Sequence, residues 1–348
     1  MRALVYLGSG AITVEDRPKP TIQSPTDAIV RVTHTGVCGT DLHIIQGRVP
    51  SCSAGRILGH EGVGIIDALG PGVANLRIGD RVLIGSISAC GKCPACRQGM
   101  NSHCASGGWL LGNTIDGVQA DFVRIPHADF SLHLLHSEIP SPAAVALSDA
   151  FPTAYEGGIQ NGQVHPGAAV AIVGTGPVGL SALMLTRALY PSAFVVVIGR
   201  GESRLRIAKS FGAQHIFSTL NGISSTIEAA KAINKGRGFD VVVEAVGTRQ
   251  SFDLAQQLTG VGGTIATLSY FNSKCDLHLD TLWNKNICLR TRLTDGGSIP
   301  ELLRLTESST IDPGALVSHV FSFSDIMKGY ETFQAASAQD ALKVVIYL

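Results

Sequence analysis

Apolar runs that alternate with helical patterns dominate the stretch from residue 153 to residue 290. Four runs, "AAVAIV", "AFVVVIG", "FDVVVEAVG" and "GTIATLSY", are almost continuously apolar, as in parallel strands that are buried on both faces. The segments between them, such as "GLSALMLTRAL" and "ESRLRIAKSFG", have helical patterns, and several end at glycine, a common helix stop. The alternation predicts an α/β fold with a doubly wound parallel sheet over residues 153–290.

A glycine-rich turn joins the first of these strands to the helix that follows it. The segment "GTGPVG" has the pattern G-x-G-x-x-G. Its candidate cofactor-binding residues are Gly174, Gly176, Pro177, Val178 and Gly179. Glycines permit a tight turn and a close approach of the backbone to a pyrophosphate, and a helix N-terminus stabilises its negative charge. The pattern predicts a dinucleotide site. The alternative is a packing turn, since the chain has 40 glycines.

The end of the second strand bears on which dinucleotide binds. An NAD site usually has an acidic residue there, which hydrogen-bonds the ribose 2′-hydroxyl. This chain has Gly199 at that position, with Arg200 beside it and Glu202 close by. Glycine leaves room for a 2′-phosphate and arginine can bind it through charge-assisted hydrogen bonds, so the sequence favours NADP over NAD. Alternatively, Arg200 is a solvated loop residue or stacks on the adenine.

The rest of the chain has a different sequence pattern. Short β-type runs in residues 1–152, such as "AIVRVTHTG" and "DRVLIG", are separated by turn residues and predict a β-rich domain. After residue 290 a helical pattern and a last strand, "ALKVVIYL", follow, and that strand could join the first domain. A chain of 348 residues is long enough for roughly two domains.

Composition excludes several classes of partner. The chain has 27 basic and 27 acidic side chains, so no strong field attracts nucleic acid or an anionic membrane. No apolar run approaches the ~20 residues that span a bilayer, and the first residues do not resemble a secretory signal. We therefore expect a cytoplasmic protein with a small-molecule substrate and neither a nucleic-acid nor a membrane partner.

Half of the cysteines lie close together in the sequence. The segment "ACGKCPACRQGMNSHC" contains Cys90, Cys93, Cys96 and Cys104 in the pattern C-x₂-C-x₂-C-x₇-C. Metal-bound thiolates in a reducing compartment fit this spacing better than disulfides, which are the alternative. Four thiolates would complete the tetrahedral shell of a zinc ion and leave no position for substrate or water. We expect this zinc to hold a loop in shape rather than to catalyse a reaction.

A second set of metal-ligating side chains is spread over two short segments. The first, "GVCGTDLH", contains Cys38, Thr40, Asp41 and His43, and the second, "GHEGVG", contains His60 and Glu61. A lone histidine or cysteine is more often a structural residue than a ligand. It is the occurrence of these residues together in two short segments that indicates a metal site.

The segment "GHEGVGIIDALGPGV" resembles the signature of zinc-containing alcohol dehydrogenases in the medium-chain dehydrogenase/reductase family. The segments "GVCGTDLH", "GTGPVG" and "ALKVVI" and the four-cysteine loop occur in the family's usual order. The resemblance implies a GroES-like β-rich catalytic domain over 1–152 and 291–348, with a structural zinc lobe near 88–106. It also implies a Rossmann domain over 153–290, about two zinc ions per chain, and a homo-oligomer, either a dimer or a tetramer.

The same resemblance implies roles for individual residues. Cys38, His60 and Asp149 match the ligands of the catalytic zinc, which polarises the substrate oxygen while a hydride passes to or from the nicotinamide. Glu61 is expected to approach the metal during ligand exchange, and Asp41 to orient the zinc-bound histidine. The remaining matches are Thr153 beside the nicotinamide and a proton relay from Thr40 through the cofactor ribose to His43.

The substrate is less strongly indicated. The resemblance places Ser86, Trp109, Tyr270 and Leu293 near the substrate pocket, although the two aromatic residues could equally belong to the core. Their low charge favours an uncharged alcohol, ketone or aldehyde. The alternatives are an NAD-dependent polyol or primary alcohol dehydrogenase and, more distantly, a non-catalytic nucleotide-binding protein of the same fold. A zinc-free quinone reductase is excluded if the metal is bound.

Overall fold

The structure is a computed structural model that describes residues 1–8, 10–136, 138–271 and 273–348. Its contacts divide the chain into two units, the first formed by Met1–Pro152 with Thr294–Leu348 and the second by Thr153–Leu293. The second unit extends three residues beyond the predicted end at 290. The reason is a strand at Cys288–Thr291, which pairs in parallel with its neighbour as far as Thr291.

The secondary structure is numbered in chain order. The strands are β1 (Arg2–Gly8), β2 (Ala11–Asp16), β3 (Ala28–Val37), β4 (Arg56–Ile57), β5 (Gly62–Leu69), β6 (Arg81–Ile84), β7 (Phe122–Ile125), β8 (Leu132–Leu134), β9 (Ala169–Val173), β10 (Phe194–Gly199), β11 (His215–Ser218), β12 (Phe239–Glu244), β13 (Thr259–Thr267), β14 (Cys288–Thr291), β15 (Val317–Ser322) and β16 (Lys343–Tyr347). The α-helices are α1 (Gly39–Ile45), α2 (Pro94–Arg97), α3 (Ala128–Ser131), α4 (Ser141–Val145), α5 (Ala150–Pro152), α6 (Pro177–Leu189), α7 (Glu202–Ser210), α8 (Ile223–Ile233), α9 (Arg249–Leu258), α10 (Leu279–Leu282), α11 (Ile299–Glu307) and α12 (Ile326–Gln334).

The second unit is built on a parallel sheet with the order β11-β10-β9-β12-β13-β14. Its central strand β9 is buried along its whole length, and Ile172 pairs with Val197 on one side and Val243 on the other. If β9 to β14 are numbered 1 to 6 along the chain, their order across the sheet is 3-2-1-4-5-6, which is that of the Rossmann fold. The order reverses between β9 and β12, so the crevice beyond the carboxyl ends of these two strands is where such a sheet binds its ligand. The predicted α/β fold class is confirmed.

The first unit is mainly antiparallel. A three-stranded sheet has the order β2-β1-β4, and a larger one has the order β15-β16-β3-β5-β6-β8, with β7 also paired to β3. The C-terminal strand β16 pairs with β3 so that Val344 lies opposite Val37. This register places Lys343, the first residue of β16, next to Cys38, the residue that follows β3. Within the described ranges, the helices are too short or too polar to cross a membrane.

Candidate active site and metal centres

Four side chains from separate parts of the first unit converge on one point. The ligand atoms of Cys38, His60, Glu61 and Asp149 all lie within 4.8 Å of one another. The distance between His60 Nε2 and Asp149 Oδ2 is 3.9 Å, close to the ~3.5 Å that separates two ligands of a tetrahedral zinc with bonds of about 2.0–2.3 Å. Sulfur, nitrogen and carboxylate oxygen are the donors that zinc prefers.

The fold places each of these residues at the end of an element. Cys38 follows β3 and is the N-cap of α1, whereas His60 and Glu61 directly precede β5. Asp149 lies in the turn between α4 and α5. The main-chain oxygen of Glu61 accepts hydrogen bonds from the N–H of Gly36 (3.1 Å) and the hydroxyl of Thr35 (2.9 Å), so backbone pairing sets the position of the second segment against β3.

Lys343, which sequence analysis did not select, forms a buried ion pair with Glu61. Its Nζ is 2.6 Å from both carboxylate oxygens, and the two side chains are only 2% and 1% exposed. Burial lowers the pKa of Lys343, but the charges of Glu61, Cys38 and Asp149 and the hydrogen bond to Glu61 together more than offset this, and the pKa is raised. One feature of the sequence could have identified Lys343: it is the only charged residue in the apolar run "ALKVVIYL". A lysine buried in such a strand needs a charged partner.

The charges around this cluster fit a divalent cation. The acidic groups here belong to Cys38, Asp41, Glu61 and Asp149, whereas the basic groups are those of Lys343 and His60. Buried charges are paired or coordinate metals, because desolvation without compensation is costly. The donor set and the excess of acidic over basic groups therefore both suit zinc.

The predicted relay residues lie on α1, which starts at the cluster. Thr40 and His43 are three residues apart and therefore share one face of this helix. His43 is half-buried, and burial, followed by the charge of Arg48, lowers the pKa of its imidazole. Asp41, in the same turn, accepts a hydrogen bond from the N–H of Cys38 at 3.0 Å and lies 3.8 Å from Nδ1 of His60.

Two of the predicted pocket residues lie beside the cluster. The hydroxyl of Ser86 donates to Asp149 Oδ1 at 3.1 Å, so Ser86 contacts a candidate metal ligand directly. The indole of Trp109 makes an edge contact with the imidazole of His60, with a centroid distance of 6.2 Å. Tyr270 and Leu293 belong to the second unit, where they are 46% and 51% exposed.

The four-cysteine segment forms a separate cluster. The sulfur atoms of Cys90, Cys93, Cys96 and Cys104 also lie within 4.8 Å of one another, and all four residues are free thiols. Cys93 is the N-cap of α2, and the backbone N–H groups of Cys96 and Ala105 lower the pKa of its thiol to about 6. Thiolate is the form that binds zinc, so at pH 7 Cys93 is mostly in the form that can bind the metal.

The glycine-rich turn lies at the carboxyl end of β9, where the sheet order reverses. Gly174 has φ +118°, and a Cβ on Gly179 would lie 2.2 Å from the carbonyl oxygen of Gly174. The fold itself therefore requires glycine at both positions. Gly176, the N-cap of α6 ahead of Pro177, would have no neighbour within 4 Å of a Cβ. The open space at Gly176 suits a pyrophosphate that approaches the backbone closely.

Gly199 and Arg200 lie at the end of β10. A Cβ on Gly199 would be 2.6 Å from Cγ2 of Thr175, so an acidic side chain could enter only if Thr175 moved. Arg200 is exposed. Val178 lies in the first turn of α6, and Thr153 begins a π-helix that extends to Gln160 in the same unit.

Comparisons with known proteins agree with this architecture. Residues 24–136 match the family model of the alcohol dehydrogenase GroES-like domain, and residues 177–308 match that of the zinc-binding dehydrogenases. An alcohol dehydrogenase from Cupriavidus necator is 32% identical over 99% of this chain and 98% of its own length. The NADP-dependent isopropanol dehydrogenase of Thermoanaerobacter brockii is 30% identical over the full length of both chains.

A solved structure gives the same result. Zinc-dependent alcohol dehydrogenase 2 from Streptococcus pneumonia, in its apo form, superposes with a TM-score of 0.95 and 43% identity, covering 100% of this chain and 98% of the other. The fold and the site define an oxidoreductase with a GroES-like and a Rossmann domain. The chain belongs to the zinc-dependent alcohol dehydrogenases of the medium-chain dehydrogenase/reductase family, and the resemblance seen in the sequence is confirmed.

Proposed function

We propose that the protein transfers a hydride between NADP and an uncharged alcohol, ketone or aldehyde, with Cys38, His60 and Asp149 as ligands of a catalytic zinc. The observation that supports the proposal is the convergence of these three side chains, together with Glu61, within 4.8 Å, with His60 and Glu61 buried and Cys38 and Asp149 partly buried. Cys90, Cys93, Cys96 and Cys104 would hold a second, structural zinc. When bound, the zinc would polarise the substrate oxygen and the nicotinamide would exchange the hydride.

The chain's own contribution to the chemistry is to hold and move a proton. Thr40, two residues from Cys38, would accept the proton of the substrate hydroxyl, and His43, one turn further along α1, would pass it to water. The lowered pKa of His43 keeps its imidazole neutral at pH 7, and a neutral imidazole can accept a proton. Asp149 would be oriented by Ser86, and Trp109 would contribute an apolar wall beside His60.

The preference for NADP rests on Gly199 and Arg200. Because residue 199 is glycine, no carboxylate repels a 2′-phosphate at that position, and Thr175 fills the space that an acidic side chain there would need. Arg200 would bind that phosphate, and Gly174, Gly176 and Gly179 would surround the pyrophosphate. Thr153, the first residue of the π-helix, would contact the nicotinamide.

We also propose that the protein forms a homo-oligomer through the second unit. Strand β14 is the last strand on one side of the described parallel sheet, and an edge strand offers unpaired backbone groups to another chain. Leu289 on this strand is 41% exposed, and Trp283, in the segment before it, is 75% exposed. Light scattering on the purified protein, compared with a Trp283→Glu variant, would test this assembly: a smaller mass for the variant supports it.

The experiment that tests the proposed activity follows nicotinamide absorbance in zinc-replete protein, with NADPH and NADH side by side and a panel of uncharged ketones and aldehydes. We expect much higher kcat/KM with NADPH. Arg200→Ala should raise the KM for NADPH about 10- to 100-fold, because a hydrogen bond to a charged group contributes about 1.5–3 kcal/mol. Arg206→Ala, which changes an exposed arginine on α7, is the matched control and should leave the KM unchanged.

Each other outcome has a definite meaning. A preference for NADH would show that Arg200 does not select the cofactor and would favour alcohol or polyol oxidation with NAD. An absence of turnover with both cofactors in zinc-replete protein would contradict the proposed activity.

A further inference from the structure

A chain of buried hydrogen bonds leads from the C-terminal helix α12 to the proposed catalytic zinc site. The phenol of Tyr330, on α12, donates to Oε1 of Gln119 at 2.8 Å. Nε2 of Gln119 donates to the carbonyl of Gly36 at 3.1 Å and to Oδ2 of Asp41 at 3.3 Å. Tyr330 is 2% exposed, and Gln119 and Asp41 are 0% exposed. Because these groups are shut off from water, each must find its partner within the protein.

The direction of the Gln119 amide follows from its neighbours. Gly36 and Asp41 present only acceptors, so the amide NH₂ group must face them, and the amide oxygen is left for the Tyr330 hydroxyl. Removal of that hydroxyl would leave a buried amide oxygen without its donor, which favours a shift of the whole Gln119 side chain.

Asp41 then carries the effect to His60. One carboxylate oxygen of Asp41, Oδ2, is occupied by the N–H groups of Cys38 and Gln119. The other, Oδ1, has no hydrogen-bond partner within the described residues, and the same is true of Nδ1 of His60. These two buried atoms face each other at 3.8 Å. Each is therefore the partner available to the other, and the orientation of Asp41 determines how Nε2 of His60 is presented to the metal.

We propose that Tyr330 and Gln119 are positioning residues for the metal ligand His60, acting through Asp41. The inference rests on the proposed zinc site of Cys38, His60 and Asp149. It assigns a part in holding the metal to Tyr330 on α12, which lies 211 positions from Gln119 in the sequence. Neither residue contacts the metal or the substrate in this scheme.

The test measures zinc release from the holoenzyme to a chromophoric chelator, together with the absorption spectrum of the cobalt-substituted protein. His60→Ala identifies the release phase that belongs to this site. Tyr330→Phe should speed that phase by about tenfold, toward the lower end of the 10- to 100-fold effect known for partners of metal-bound histidines, and should shift the cobalt bands. Tyr6→Phe, in a tyrosine of the same core cluster that makes none of these hydrogen bonds, should change neither.

A double-mutant cycle separates positioning from packing. If Tyr330 acts through Asp41, Tyr330→Phe should have no further effect on zinc release in an Asp41→Asn background. The Gln119→Met background provides the same test if Asp41→Asn fails to fold, as circular dichroism would show. An equal acceleration in the wild-type and variant backgrounds, or no change at all, would overturn the inference. If His60→Ala removed neither a zinc ion nor a release phase, the proposed zinc site itself would fail, whatever Tyr330→Phe did.

Discussion

The two candidate metal centres differ in how far apart their ligands lie in the sequence. The four thiols of the lobe fall within residues 90–104. The candidate ligands of the other centre, which we call the buried cluster, are Cys38, His60, Glu61 and Asp149 and extend over more than 100 residues. The lobe closes on itself around α2, so its geometry depends on a short loop. The buried cluster depends on the pairing of β3 with β5 and β16, and therefore on the whole first unit.

The two centres also differ in their surroundings. Three of the four lobe cysteines are only partly buried, and four identical donors leave no open position on a zinc ion. At the other centre Cys38 and Asp149 are also partly buried, but Asp41, Glu61 and Lys343 around them are buried, and the donors are mixed. A closed centre contributes to folding, whereas a centre with an open position can catalyse. Three predictions test this contrast, beginning with the largest effect, and a fourth concerns the stability of the first unit in acid.

Removal of a ligand from the buried cluster should abolish activity and leave the lobe intact. We expect Cys38→Ser to lose about one zinc ion per chain and to lower kcat/KM by about 10³-fold or more, because the metal contributes several kcal/mol to catalysis. Elemental analysis and nicotinamide absorbance measure the two effects. Cys52→Ser, which changes a buried cysteine outside both clusters, is the control and should retain both zinc ions and most of the activity. Full activity in Cys38→Ser would contradict the assignment.

Within the buried cluster, proton transfer should be separable from metal binding. Thr40→Ala should lower turnover by about 10²-fold, the usual contribution of a positioned acid–base group, with unchanged zinc content. Thr40→Ser keeps the hydroxyl and should retain most of the activity. Near-complete turnover in Thr40→Ala would rule out the proposed relay.

Damage to the lobe should affect stability more than chemistry. Cys96→Ser should release the lobe zinc and lower Tm by about 10 °C, since a loss of a few kcal/mol shifts a unit of this size by about 2–4 °C per kcal/mol. Activity at low temperature should remain close to that of the wild type. Calorimetry with Cys275→Ser as the control checks this effect. The opposite result, lost activity with an unchanged Tm, would mean that the roles of the two centres are reversed.

The smallest effect is a loss of folding stability in acid. Acid also weakens zinc binding, so the measured stability must be corrected for zinc loss. Burial lowers the pKa of His133, on β8, to about 4 from its ordinary 6.5. Between these values the unfolded chain binds a proton that the native state does not. The free energy of unfolding should therefore fall by up to about 3 kcal/mol as the pH drops from 6.5 to 4.

Denaturant titrations of His133→Gln across this range, with zinc content monitored, should give a flatter pH profile than the wild type. His136→Gln changes a histidine whose side chain is 72% exposed and should reproduce the wild-type profile. Parallel profiles for His133→Gln and the wild type would show that His133 does not cause the acid effect.

Local patterns in the sequence predicted four strands of the second unit and the grouping of the four lobe cysteines. Continuous apolar runs predicted β9, β10 and β12, and the turn "GTGPVG" predicted the junction with α6, because each pattern involves neighbours along the chain. The glycines of that turn show what a local sequence pattern does not reveal, namely which of them the fold requires. Only the structure showed that Gly174 and Gly179 are required by the fold, whereas Gly176 is not.

The buried cluster required the tertiary structure. Its proposed ligand set came from the sequence only through the family resemblance, and the sequence predicted neither the role of Lys343 nor the hydrogen bonds of Gln119 and Tyr330. Ser86, expected near the substrate, proved to contact Asp149.

By itself, then, the sequence determined the alternation of strands and helices, the glycine-rich turn and the spacing of the lobe cysteines. Tertiary structure alone decided which distant groups share the buried site. The ion pair of Glu61 and Lys343 joins residues 282 positions apart, and it exists because β16 pairs with β3 in a register that sets Val344 opposite Val37. No periodicity along the chain encodes such a contact, since it follows from strand order and register, which long-range burial and hydrogen bonding select together.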